Sequence, residues 1–310
     1  MAREIATGVG LTLLIFFVAL QVPLFGFFGA LLMPLPTLFY RVKLGRRPGG
    51  MVPACAAAVM AAAGGPPTVD LFFFAALLLL GFVLGELLER PLPVEVTVGA
   101  ACAAVATAAG ALLLLAAAAA DRGVGSLVGE YVARNLQLTL EVYRSMGVPE
   151  ENVRIIADAM DRIEYVLVRI LPALALTTLL VVTWANLLLA RGLLRRRGLP
   201  FPDFGRLDRW RAPEGLVWVV IAAGVALLVP AQPIKLAGIN VLMVLMAVYF
   251  LQGIAIVAFF FEKKGFPRPL RVFLYSLIAV QQVLLLVVVG IGFFDMWFNF
   301  RRQSSPDDPR

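Results

Sequence analysis

Long apolar runs, separated by short polar breaks, limit what this chain can fold into more than any other feature. They cover residues 5–22, 24–40, 51–63, 69–88, 96–120, 165–190, 215–230, 237–261 and 272–294. Most are about 17 to 25 residues long, enough to cross roughly 30 Å of hydrocarbon as helix. Backbone amides cannot stay unpaired in lipid, so only helices or a closed barrel can cross it. Runs that remain apolar without alternating select helices. Composition agrees, with 61% hydrophobic and 15% charged residues in 310. A soluble domain is nearer half and a quarter. The expectation is an all-α polytopic integral membrane protein with about nine transmembrane helices, or eight if the short run 51–63 enters without crossing or the first two runs do not both cross.

Basic clusters set the expected orientation. Residues 191–211 carry seven arginines, Arg191, Arg195, Arg196, Arg197, Arg206, Arg209 and Arg211, against Asp203 and Asp208. Arg41, Lys43, Arg46 and Arg47 form a second cluster, and Lys263, Lys264, Arg268 and Arg271 a third. Positive residues beside apolar spans mark the cytoplasmic side. With the N-terminus inside, nine crossings put all three clusters on one face and leave Arg301 and Arg302 outside, against the bias. The reading is a bacterial inner-membrane protein with a cytoplasmic 191–211 loop. The excess of positive charge, net +7, sits at span ends, so it reads as topology and not as nucleic-acid binding.

Composition changes between residues 121 and 164. Eight acidic and five basic residues stand there. Val128, Val132, Leu136, Thr139, Val142 and Met146 recur at helical spacing. Gly147 is a good stop and Pro149 a good start, with Glu150 and Glu151 at a positive helix end. Two amphipathic helices outside the hydrocarbon are expected, on the extracytoplasmic side. The division is then an N-terminal bundle (1–190) containing this insertion, an Arg-rich loop (191–212), a three-helix unit (213–297) and a polar tail (298–310).

Several chemistries find no residues here. The chain has no histidine, which removes His triads, His acid–base steps and His metal sites. Cys55 and Cys102 stand alone in apolar runs and read as small buried hydrophobes. No phosphate-cradling Walker motif is present. Paired carboxylates or a Ser/Lys dyad at membrane depth are not visible. The expectation is a non-enzyme with no catalytic residue, no metal ligand and no cofactor.

Polar residues within or near the spans are Gln21, Asn186, Asn240, Gln252, Gln281 and Gln282, and they are expected to face the bundle interior. Tyr249 and Gln252 share a helix face. On one continuous helix Gln281 and Asp295 lie within about 40° of each other. Tyr249, Gln252, Gln281, Gln282 and Asp295 are therefore candidates for a polar ligand cavity between the last two spans. The alternative is plain interhelical hydrogen bonding. A pair between Asp295 and Arg301 or Arg302 would lock the last helix end, and Trp297, Phe298 and Phe300 suit an interface belt. Gly81-x-x-x-Gly85 offers a close-packing face. Glu86, Glu89, Arg90 and Glu95 read as a coupling site or as solvated loop charges. Pro34 and Pro36 are expected to kink the second span, and Pro172 the sixth.

The stretches Y-F-L-Q-G-I-A-I-V-A-F-F-F-E-K-K (residues 249–264), G-F-F-D-M-W-F-N-F-R-R (292–302), L-D-R-W-R-A-P-E-G-L-V-W (207–218) and L-P-A-L-A-L-T-T-L-L (171–180) resemble the YybS-like family of bacterial multi-pass membrane proteins. That resemblance implies a topology and no particular activity. The first 190 or so residues are more loosely similar to the substrate-binding membrane subunits of energy-coupling-factor transporters, in layout alone.

Two functions fit these features. One is a non-ATPase transport-type subunit that binds a small solute and works with a separate energising partner. The other is a membrane scaffold whose Arg191–Arg211 loop recruits proteins or anionic lipid. A polar cavity reachable from one side would favour the first, and a packed core with polar residues at the surface the second.

Overall fold

The computed structural model describes residues 1–21, 29–64 and 69–301. The junction between the first two apolar runs, most of that between the third and fourth, and the tail from Arg302 onward lie outside the described residues. Every regular element among the described residues is helical. The principal helices are α1 (Ala2–Gln21), α2 (Pro34–Leu44), α3 (Arg46–Gly64), α4 (Val69–Leu87), α5 (Val94–Ala119), α6 (Val124–Ser145), α7 (Glu150–Asp158), α8 (Met160–Arg196), α9 (Leu216–Leu228), α10 (Gln232–Lys263), α11 (Arg268–Val280) and α12 (Gln282–Phe298). A 3-10 turn covers Leu207–Arg209. Four of the helices, α1, α5, α8 and α10, are long and apolar enough to cross a membrane. The pair α11 and α12 would make a fifth, but they meet at 100°.

The expected span 272–294 is therefore not one helix. The chain is extended at Gln281 (φ −90°, ψ 107°), which ends α11 and caps α12. A continuous apolar run says nothing about the angle between its halves, and here the break falls on the Gln281–Gln282 pair. The second expected span breaks at Met33, just ahead of Pro34. Proline has no amide to continue a ladder but suits the first helical turn.

Close backbone contacts set the packing. A Cβ on Gly81 would collide with the Pro34 carbonyl, and one on Gly85 with the Arg41 side chain. The small-residue face of α4 thus seats α2, running parallel to it. Gly253 and Gly292 do the same for α10 and α12, against Val288 and the Tyr249 carbonyl, and these two helices run antiparallel. Gly238 lets α9 lie antiparallel on α10, against the Ala223 carbonyl. One core joins α1 to α5 with α8; Leu38, Leu80, Leu84, Leu187 and Leu194 in it are fully buried. Where lipid is as apolar as leucine, such close packing and interhelical hydrogen bonds are what hold helices together.

Pro172 stands inside α8, and the structure shows how the helix continues past it. A proline ring crowds the preceding turn's carbonyls and opens the ladder. Asn240 of α10 fills the opening: its Nδ2 donates to the Arg169 carbonyl at 2.9 Å, and its Oδ1 accepts from the Ala173 amide at 3.1 Å. Asn186 of α8 donates to the Leu31 and Val182 carbonyls, at 2.7 and 2.8 Å.

One end of the bundle gathers the basic clusters. Lys43 pairs with Glu4 at 2.6 Å, and Arg206 pairs with Glu262 at 3.4 Å. The start of α5 lies at this end, and its 26 residues make a helix about 39 Å long. The 121–164 insertion, formed by α6 and α7, follows the far end of α5. Val132, Leu140 and Val153 in it are buried, and Gly147 ends α6 with φ 75°. Leu138, Val142 and Met146 remain exposed.

Arg301 is a correction. Nine crossings would leave it on the face opposite the Arg-rich loop, but it donates to the Asp208 and Trp210 carbonyls of that loop, at 3.2 and 2.9 Å.

Candidate functional site

An open concavity lies at the end where these loops meet. It is an open cleft of about 1070 Å³, walled by residues 88–95 between α4 and α5 and residues 200–210 after α8. Pro91 and Pro93 stiffen the first wall, Pro200 and Pro202 the second, because each proline fixes its own φ. Phe201, Phe204 and Trp210 supply aromatic surface, with Val42 and Val94 at the base. Arg90, Glu95, Asp203 and Arg209 bring charge of both signs to it.

A buried charge network pins each wall. The first centres on Arg41, which is 1% exposed. Its Nε donates to Glu86 at 2.5 Å, and its two terminal nitrogens donate to Glu89 at 2.8 and 2.9 Å. This two-pronged geometry is the strong form of a guanidinium–carboxylate pair. The Arg41 hydrogen bond holds the Glu89 carboxyl below its ordinary value. Glu86 is partly buried and Glu89 half exposed, and both are paired with Arg41, so neither is a free coupling group. They fix the 88–95 wall to α2.

The second network centres on Asp295, which is fully buried. Asp295 Oδ2 accepts from Arg301 at 2.6 Å and from Gln252 Nε2 at 3.3 Å, and Oδ1 accepts from the Phe300 amide at 3.0 Å. Gln252 Oε1 accepts from the Ala212 amide at 3.0 Å. Arg211 lies 3.7 Å from the same carboxylate and donates to Asn299. The helix-end lock between Asp295 and Arg301 is present, and it also holds residues 208–212, where the second wall ends.

Of the candidate ligand residues, the structure brings Tyr249, Gln252 and Asp295 together. Tyr249 packs edge-on against Phe293 at 5.1 Å. The space beside Tyr249 and Gln252 is about 20 Å³, room for about one water. Gln281 and Gln282 stand at the opposite end of α12 and are exposed, about 20 Å from Asp295 along the helix. The facing of Gln281 and Asp295 required one unbroken helix, and the bend at Gln281 removes it.

The seven arginines divide into two groups. Arg206 pairs with Asp208 at 2.8 Å, Arg209 lies over the Phe259 ring at 5.8 Å, and Arg211 joins the Asp295 network. These three tie the loop down. Arg195, Arg196 and Arg197 are exposed and Arg191 half-buried, and none of the four forms an ion pair among the described residues. Among those residues, too, no group of three Cys, Asp or Glu side chains is placed to hold a metal. Cys102 lies 3.5 Å from Thr183 and Cys55 is exposed.

Sequence reasoning missed the cleft and the burial of Arg41. The paired prolines in P-L-P (91–93) and P-F-P (200–202) were the available signal for two rigid loops.

The architecture is that of a multi-helix membrane protein, and the comparisons agree. The family model described as "Predicted membrane protein (DUF2232)" matches residues 10–296, and the chain belongs to that family. No curated protein and no solved structure matches it.

Proposed function

We propose that this protein is a non-enzymatic membrane subunit whose cleft takes a segment of a partner protein. The observation that carries the reading is the cleft, with each wall held by ion pairs to a buried arginine. Polar side chains inside the bundle mostly bond to the protein itself: Asn186 and Asn240 donate to backbone carbonyls, and Gln252 donates to Asp295. What remains open to a ligand is the loop end. Its aromatic and arginine lining, with charges of both signs at the rim, is the kind of surface that dominates protein–protein binding energy. A volume of 1070 Å³ reaches the upper edge of small-molecule sites, and its openness suits a peptide segment better than a sequestered solute.

A transport-type subunit remains the second reading, favoured by that same volume and by access from one side. In it the cleft would admit a solute and a separate energising partner would drive the step. The looser likeness to energy-coupling-factor binding subunits belongs to this reading, and the YybS-like resemblance fits both. For topology, we read eight crossings in the inner membrane, with α12 re-entering and not crossing. That puts the N-terminus and the Arg-rich loop in the cytoplasm and the 121–164 insertion outside, with Arg301 reaching that loop from the inner end of α12.

Photocrosslinking in cells separates the two. A benzophenone side chain placed at Phe204 gives one discrete protein adduct under the docking reading, and the same group at Met146 does not. Asp203→Lys with Glu95→Lys in the same chain removes the adduct. If Phe204 gives no protein adduct, or the same ones as Met146, the docking reading fails and the solute reading takes its place.

A further inference from the structure

Helix α11 has two apolar faces, and the chain covers one of them. On the inner face Ile278 is buried. Tyr275 packs edge-on to Phe261 at 5.3 Å, and Phe261 stacks on Phe266 at 5.2 Å. Arg271 Nε donates to the Phe266 carbonyl at 2.7 Å. These contacts clamp α11 to the end of α10. On the outer face Leu270, Phe273, Leu277 and Val280 recur at i, i+3, i+7 and i+10, and they are 39%, 61%, 41% and 84% exposed.

The direction of the helix matters as much as its faces. Since α12 packs antiparallel along α10 and meets α11 at 100°, α11 runs across the end of the bundle, not along it. Its N-terminal end is basic: Lys264 and Arg268 form no ion pair among the described residues, and α11 contains no acidic residue. At the same end of the bundle, α8, which runs parallel to α10, ends in Arg191, Arg195, Arg196 and Arg197.

We propose that α11 is an in-plane membrane-surface helix, seating Leu270, Phe273, Leu277 and Val280 at the boundary of acyl chains and headgroups while Lys264, Arg268 and Arg191, Arg195, Arg196 and Arg197 at the end of α8 meet anionic phospholipid headgroups. A helix with a strong apolar face and basic flanks binds interfaces in this way. The occupant is lipid and not a second protein surface for two reasons. Beyond the bend the exposed apolar residues run on in sequence, with Val283, Leu286 and Val287 of α12 at 62%, 51% and 50%, so both arms of the bent pair offer apolar surface to acyl chains. The free charges beside it are all positive, which suits anionic headgroups. The proposal is independent of what fills the cleft.

The test uses the full chain with Cys55 and Cys102 replaced by Ala. A nitroxide is placed at F273C on the outer face, or at A279C on the flank that carries Arg268. Vesicles are phosphatidylcholine, with or without phosphatidylglycerol. The label at 273 is expected to be reached by oxygen and shielded from an aqueous nickel chelate, and the label at 279 to show the reverse order. Spin-labelled phosphatidylglycerol is expected to be preferred over phosphatidylcholine at the protein boundary. Lys264→Gln with Arg268→Gln lowers that preference, by up to roughly fivefold for each charge removed. A 273 label open to the chelate overturns the proposal, because the face then lies in water. So does a label shielded from both probes, because protein then covers it. An unchanged lipid preference in the Gln variant overturns the headgroup contact.

Discussion

At the scale of single residues, the fold places two arginines where arginine is costly and surrounds each with acceptors. Arg301 is 9% exposed and Asp295 fully buried. Removing one partner of such a pair leaves the other charge buried and uncompensated, which costs about 3 to 5 kcal/mol. Arg301→Met is expected to destabilise by that amount in denaturant titrations of the solubilised protein. An effect below about 1 kcal/mol, as for a surface pair, would show that the Asp295 network holds nothing in place. Glu89 gives a prediction in pH. Its carboxyl is lowered from 4.5 by Arg41, so the pair contributes fully above 4.5 and is lost as pH falls through the lower folded value. Thermal transitions of the protein and of Glu89→Gln are expected to differ above pH 4.5 and to converge below it. A constant gap across that range would mean that the Glu89 charge is not what Arg41 recognises.

At the scale of elements, the clearest case is Asn240 bridging the gap that Pro172 opens in α8. Asn240→Leu frees the Arg169 carbonyl and the Ala173 amide, at a cost of about 1 to 3 kcal/mol for buried polar groups left unpaired. With Pro172→Ala in the same chain the helix can close its own ladder, so the double variant is expected to recover most of that loss. Additive effects in the thermal transitions would contradict the repair. These elements also show what the sequence makes legible. Apolar run length gave the helices, and Gly81-x-x-x-Gly85 gave a real packing face, because both depend on local chemistry and spacing. The turn at Gln281 was not legible, since apolar residues on both sides satisfy a straight span and a bent pair equally. The cleft was less so: its walls lie more than a hundred residues apart in sequence and meet only through packing of α2, α4, α8 and α10. Among the candidate ligand residues, Tyr249, Gln252 and Asp295 do meet, because helix periodicity constrains neighbours on one face. What they form is a set of hydrogen bonds around a space the size of one water.

At the scale of the whole molecule, the chain is a bundle closed at its centre and open at one end. Charge is concentrated at that end, in the stiffened loops around the cleft, in the unpaired arginines of α8 and in the basic start of α11. The central claim is that this end is where the protein does its work, through a partner seated between residues 88–95 and 200–210. The most direct measurement is native mass spectrometry of the full chain in discs cut from its own membrane, alongside Phe204→Asp. The account predicts a second protein at fixed stoichiometry, lost in Phe204→Asp while the chain keeps its thermal transition. A bare chain, a partner that survives Phe204→Asp, or a bound small solute in place of a protein would contradict it.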